Sequence, residues 1–63
     1  MFNGELLKKL REERNLTQEG LAEKANTTRH QITKFEIGLQ DPSIRMLCVL
    51  ADVLGVPPAV FLP

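Results

Sequence analysis

Residues that do covalent or metal chemistry are scarce in this 63-residue chain, which has one cysteine and one histidine. A lone cysteine forms no internal disulfide. Cys48 falls in an apolar helical pattern, so it is expected to be a buried, reduced thiol in a cytoplasmic protein. A reactive thiol needs a basic neighbourhood, which the flanking sequence does not provide. His30 has no second histidine or cysteine cluster to complete a metal-ligand set. One histidine among scattered acids also makes no nucleophile–base pair, so the sequence assigns no catalytic residue, cofactor or metal. No apolar run reaches membrane-spanning length and no basic-then-apolar leader opens the chain, so neither insertion nor export is expected. Repeats and low-complexity linkers are missing too. A chain this short holds one small core, near the lower limit for folding without metals, disulfides or partners, and has no room for a large cleft. One domain over residues 1–63 is therefore expected.

Net charge is absent as well: 8 Lys+Arg stand against 8 Asp+Glu. That balance excludes a strongly basic, non-specific nucleic-acid binder. The distribution is uneven, because every Lys and Arg except Arg45 precedes residue 35 and the segment from Leu39 onward carries only Asp41, Arg45 and Asp52. A neutral domain with such a distribution can still present a basic face, with weaker attraction to phosphates than a basic domain has.

What is present is a helical pattern centred on Thr17 to Glu36. Thr17 can cap a short helix whose Leu21, Ala22 and Ala25 fall three and four apart. Glu19 sits in its first turn, where the helix dipole favours a carboxylate. Asn26 tolerates the left-handed backbone needed to leave a helix sharply, and Thr28 can cap the next helix, from Arg29 to Glu36. At about 100° per residue, Ile32 and Phe35 share one side of that helix, while His30, Thr33, Lys34 and Ile37 share the other. Arg29 and Gln31 flank its first turn. Those outward residue types suit base edges and phosphates, and they equally suit a solvated surface helix.

The flanking segments supply the packing. Asn3 can cap a first helix running to about Arg14, with Leu7, Leu10, Arg11 and Arg14 on one face. Asp41-Pro42-Ser43 reads as a turn and a cap for a helix from Ile44 to Leu54, whose buried stripe is expected to be Ile44, Leu47, Leu50, Ala51 and Leu54. Gly55 ends it. Val56-Pro57-Pro58 bends the chain into a last helical turn over Ala59 to Leu62, with Phe61 or Leu62 buried.

Taken together, Leu10, Arg11, Leu16, Thr17, Gln18, Leu21, Ala22, Thr28, Ile32, Glu36, Gly38, Pro42, Ser43, Leu47, Leu50, Ala51, Leu54, Gly55 and Val56 form a spaced set that resembles the helix-turn-helix of the Cro and phage-repressor class, the XRE family. The resemblance covers nearly the whole chain. It implies an all-α fold, a compact five-helix bundle of the lambda-repressor-like type, with the helix-turn-helix at helices 2 and 3. It implies an ion pair between Arg11 and Glu36 tying helix 1 to the recognition helix; the alternative is two separate surface charges contributing little. It also carries a DNA-backbone role to Gln18, at a helix start whose free amides suit a phosphate. The chain departs from the family at Asn15, where glycine is frequent, at Gly20, and at Ile37 and Leu39, where relatives have polar or basic residues. Ile37 and Leu39 are expected to weaken DNA attraction, to contact a partner, or to fold back on the core.

The function implied is a sequence-specific double-stranded DNA-binding transcriptional regulator, a repressor, with the helix from Arg29 to Glu36 in the major groove. Arg29, His30, Thr33 and Lys34 are expected to read bases, with at least one G·C pair per half-site. Arg11, Thr17, Gln18, Thr28 and Gln31 are expected at phosphates. A homodimer, with Val60 as one contact, would bind an imperfect palindrome with half-sites about 10 bp apart. The alternative is the same fold as a protein-interaction or antitoxin-like module, using Ile37, Leu39 and Val60, or as the DNA-targeting module of a larger regulator.

Overall fold

A computed structural model describes residues 1–63. Its four helices are α1 (Gly4–Glu13), α2 (Gln18–Lys24), α3 (Arg29–Glu36) and α4 (Ile44–Leu54), followed by a 3₁₀ turn at Pro58–Phe61. Each α-helix opens on a side chain that accepts from an otherwise unpaired amide, the standard solution at a helix start. Asn3 accepts from the Leu6 N–H at 3.0 Å, Thr17 from Gly20 at 2.9 Å, Thr28 from Gln31 at 3.2 Å, and Ser43 from Met46 at 3.1 Å. Each also ends in the same way, with a left-handed residue at Asn15, Asn26, Gly38 or Gly55. The amide of the following residue then donates back five positions: Leu16 to Arg11, Thr27 to Ala22, Leu39 to Lys34 and Val56 to Ala51, at 2.9 to 3.1 Å. This return bond satisfies a free carbonyl and turns the chain sharply. Caps and exits together fix four helices within 63 residues.

The core is built from Leu7 of α1, Leu21, Ala22 and Ala25 of α2 and its end, Ile32 and Phe35 of α3, and Leu47, Leu50, Ala51 and Leu54 of α4. Phe2 and Phe61 close one end. Phe2 stacks on Phe61 with centroids 5.1 Å apart and meets Phe35 edge-on at 6.4 Å, both favourable aromatic geometries. The Asn3 N–H donates to the Phe61 carbonyl at 2.8 Å, which ties the two ends of the chain together. Gly4 makes this closure possible. A Cβ there would collide with the Phe35 carbonyl oxygen and lie 2.7 Å from that of Glu36. The bare glycine thus lets the start of α1 touch the end of α3.

Four expectations are corrected or narrowed. The bundle has four α-helices rather than five. Pro57 and Pro58 bring no N–H, and the four-residue last segment closes through Val60 to Pro57 and Leu62 to Ala59 bonds at 3.1 Å, which is 3₁₀ spacing. Of the two candidates in that turn, Phe61 is fully buried and Leu62 is 45 % exposed. Cys48 is exposed rather than buried. Ile44, assigned to the buried stripe, is 74 % exposed. On a 3.6-residue period Ile44, Cys48 and Asp52 follow one another up a flank outside the Leu47, Leu50 and Leu54 stripe. No helix is long and apolar enough to cross a membrane.

Candidate nucleic-acid interface

Local sequence sets the attitude of α3. Thr28 caps it, Ile32 and Phe35 anchor its inner side in the core, and the remaining positions turn outward. Arg29 and His30 are exposed on its first turn, and Thr33 and Lys34 are half-buried one turn later. These four side chains belong to one helix and share its outer surface. Of the residues expected at phosphates, Thr17 and Thr28 are exposed cap residues, while Gln18 and Gln31 are half-buried.

Arg11 lies deeper. Its guanidinium donates from Nε to Glu36 Oε2 at 2.6 Å and from Nη2 to Glu36 Oε1 at 3.2 Å, a two-point charge-assisted contact. Nη1 donates to the Leu16 carbonyl at 2.8 Å. The Arg11 side chain is 9 % and that of Glu36 2 % exposed, so these are interior charges. The hydrogen bond to Glu36 raises the Arg11 pKa, burial opposes that rise, and the Glu36 and Glu12 charges add to it. Burial of either charge alone would be costly; burial as a pair locks α1, the α1–α2 turn and α3 together.

The pair continues outward through Gln18. Its Nε2 donates to Glu36 Oε1 at 3.0 Å, and its Oε1 accepts from the Thr33 hydroxyl at 3.1 Å and from Arg29 Nε at 3.5 Å. The Thr33 hydroxyl also lies 3.1 Å from the Arg29 carbonyl one turn back. A polar chain therefore runs Arg11, Glu36, Gln18, Thr33 and Arg29, from the interior to the outer face of α3. Beside it, Arg11, Thr17, Gln18, Glu19 and Arg29 line a shallow hollow of about 370 Å³. The sequence reading missed this chain. Its members are up to 25 residues apart, and only the facing of polar residues on α2 and α3 hinted at it. It missed Gly4 also, for which a glycine directly after a capping asparagine was the only signal.

Ile37 and Leu39 do not fold back on the core. They are 68 % and 70 % exposed, and Ile44 at the start of α4 is exposed too, so the segment from the end of α3 to the start of α4 carries an apolar rim along the sequence.

A family model described as helix-turn-helix matches residues 7–61, and the chain belongs to that family, of the XRE type. The immunity repressor protein of Bacillus phage phi105 is 42 % identical over 56 residues, covering 89 % of this chain and 39 % of the repressor. An uncharacterized HTH-type transcriptional regulator of Bacillus subtilis strain 168, YqaE, is 38 % identical over 56 residues, covering 89 % of this chain and 47 % of that protein. This chain thus spans less than half the length of the curated relatives it matches. Among solved structures, the master regulator for biofilm formation SinR, in complex with DNA, superposes with a TM-score of 0.82 at 34 % identity, covering 87 % of this chain and 89 % of that one.

Proposed function

We propose that this chain is the DNA-reading unit, over residues 1–63, of a cytoplasmic transcriptional repressor. One observation carries the reading: α3 is fastened to the core by a buried Arg11–Glu36 pair and presents Arg29, His30, Thr33 and Lys34 together on its free side. The chemistry of those side chains fits the major groove, where arginine and lysine match guanine acceptors and threonine and histidine can pair with several base edges. Thr17 and Gln18 at the start of α2 and Thr28 and Gln31 at the start of α3 suit phosphates, and Arg11 adds positive charge at the edge of the hollow beside Gln18. A repressor relative and a neighbour solved on DNA support the same role. The partner is double-stranded DNA, bound as a homodimer on an imperfect palindrome with half-sites about 10 bp apart. The role is one of binding rather than of catalysis.

Selection from a randomised duplex library at moderate salt tests this. The expected result is enrichment of one two-fold site, with preference at one base position relaxed in Lys34→Ala. Weak, sequence-independent and strongly salt-sensitive binding by the parent chain would refute it.

A second reading is favoured by the rim of Ile37, Leu39 and Ile44, because three large apolar side chains stand exposed between the end of α3 and the start of α4. In that reading the domain docks another protein through this rim. Replacing Ile37 and Leu39 by serine would then abolish the complex and leave binding to a single half-site intact.

A further inference from the structure

The polar chain that ends on α3 has a direction, and this direction limits what Thr33 can recognise. Glu36 supplies only acceptors, since both of its buried carboxylate oxygens already accept from donors of Arg11. The Gln18 amide has one donating and one accepting end, so its NH₂ must face Glu36, as the 3.0 Å bond records. Its carbonyl then faces α3, where it accepts from the Thr33 hydroxyl and from Arg29 Nε. A hydroxyl has a single proton. Both partners of Thr33 on the protein, Gln18 Oε1 at 3.1 Å and the Arg29 carbonyl at 3.1 Å, are acceptors, so that proton points inward whichever of them takes it. What remains on the outer side of the Thr33 oxygen is lone pair.

We infer that Thr33 reads DNA as an acceptor only, taking a hydrogen bond from the exocyclic amino group of adenine or cytosine, and that Gln18, oriented by Glu36, is the positioning residue that holds this polarity together with the Arg29 carbonyl. The inference rests on the proposed placement of α3 in the major groove. Threonine is ordinarily an ambiguous reader, because a free hydroxyl rotates to donate to guanine or thymine or to accept from adenine or cytosine. Here Gln18, turned by the buried carboxylate, and the Arg29 carbonyl together remove half of that choice. The same chain occupies Arg29 Nε on Gln18 and leaves its terminal nitrogens for a guanine edge, so the two residues make opposite demands on their bases.

The test compares library selections by the parent chain, Thr33→Val and Gln18→Met, each first shown by its melting curve to be folded. Valine keeps the shape of threonine without its hydroxyl; methionine keeps the reach of glutamine and leaves the Arg11–Glu36 pair in place. The parent should prefer an amino-bearing base at one position that Thr33→Val no longer discriminates. Gln18→Met should weaken that discrimination and admit guanine or thymine in part, since the Arg29 carbonyl is then the one remaining acceptor holding the hydroxyl proton inward. Replacing the preferred base by its analogue without the amino group, purine for adenine or pyrimidin-2-one for cytosine, should weaken the parent about fivefold, the size of one hydrogen bond, and leave Thr33→Val unchanged. Three results would overturn the inference: preference lost in Thr33→Val at a base presenting an acceptor, unaltered preference at that position in Gln18→Met, or an enriched site whose profile ignores Thr33. If the parent enriches no sequence at all, the DNA reading itself fails and takes this inference with it.

Discussion

Replacing Arg11 by methionine isolates the most consequential interaction in the chain. Methionine preserves much of the arginine stem and its packing but removes the guanidinium, leaving the Glu36 carboxylate 2 % exposed with the Gln18 amide as its remaining side-chain partner. Breaking a buried pair in this way costs about 3–5 kcal/mol, because the stranded charge keeps its desolvation penalty and loses its compensation. A chain of this size has roughly 3–9 kcal/mol of stability in total, at about 0.05–0.15 kcal/mol per residue. Arg11→Met should therefore be partly or largely unfolded at room temperature. Urea denaturation followed by circular dichroism measures the loss. Changing Glu36 to methionine in the same chain should restore most of it, since an apolar pair of similar volume is close to neutral. The raised Arg11 pKa gives a sign for alkaline pH. The contribution is complete below the unfolded pKa and is lost only as pH rises through the higher folded value, so no Arg11-linked loss is expected at neutral or mildly alkaline pH. An Arg11→Met chain within about 1 kcal/mol of its parent, with an unchanged denaturant slope, would refute the assignment of the pair as a structural tie.

Other substitutions probe the frame around it. Gly4→Ala should cost about 2 kcal/mol or more in the same denaturation assay, because its Cβ meets backbone oxygens of Phe35 and Glu36 that cannot yield without shifting α1 from α3. Gly20→Ala should instead stabilise by about 0.5 kcal/mol: the position is helical, and its nearest contact is the Thr17 Oγ1 at 3.2 Å, a side-chain atom able to move slightly. Cys48→Ser should shift the midpoint by no more than about 0.5 kcal/mol, as an exposed site predicts and a buried thiol would not.

Helix boundaries and exits were legible because they are local. A capping side chain and a left-handed residue a few positions beyond each helix involve neighbours in sequence, and the expected caps at Asn3, Thr17, Thr28 and Ser43 are all present. The inner face of α3 was readable for the same reason, since Ile32 and Phe35 declare themselves by spacing. What sequence spacing missed depends on approach in three dimensions. Ile44 stands three residues before Leu47, an apolar spacing, but lies on a flank of α4 outside the buried stripe. Cys48 was misassigned because apolar neighbours on a helix say nothing about a flank that no element meets. The role of Gly4 follows from a backbone contact across more than 30 residues, and the Gln18 relay from the crossing of α2 and α3. Among the candidate site residues, the outward set on α3 was accessible from periodicity. The fact that one of its members is wired to a buried carboxylate was not.

Contact between the outer face of α3 and DNA underlies the proposed function. Amide chemical-shift mapping of the full chain, titrated with the duplex enriched in selection, tests it residue by residue. The largest changes are expected from Thr28 to Lys34 and at Thr17 and Gln18, with the Phe2, Phe35 and Phe61 cluster unmoved. Changes concentrated at Ile37, Leu39 and Ile44, with Arg29 to Lys34 unaffected, would contradict it and place the contact surface on the apolar rim.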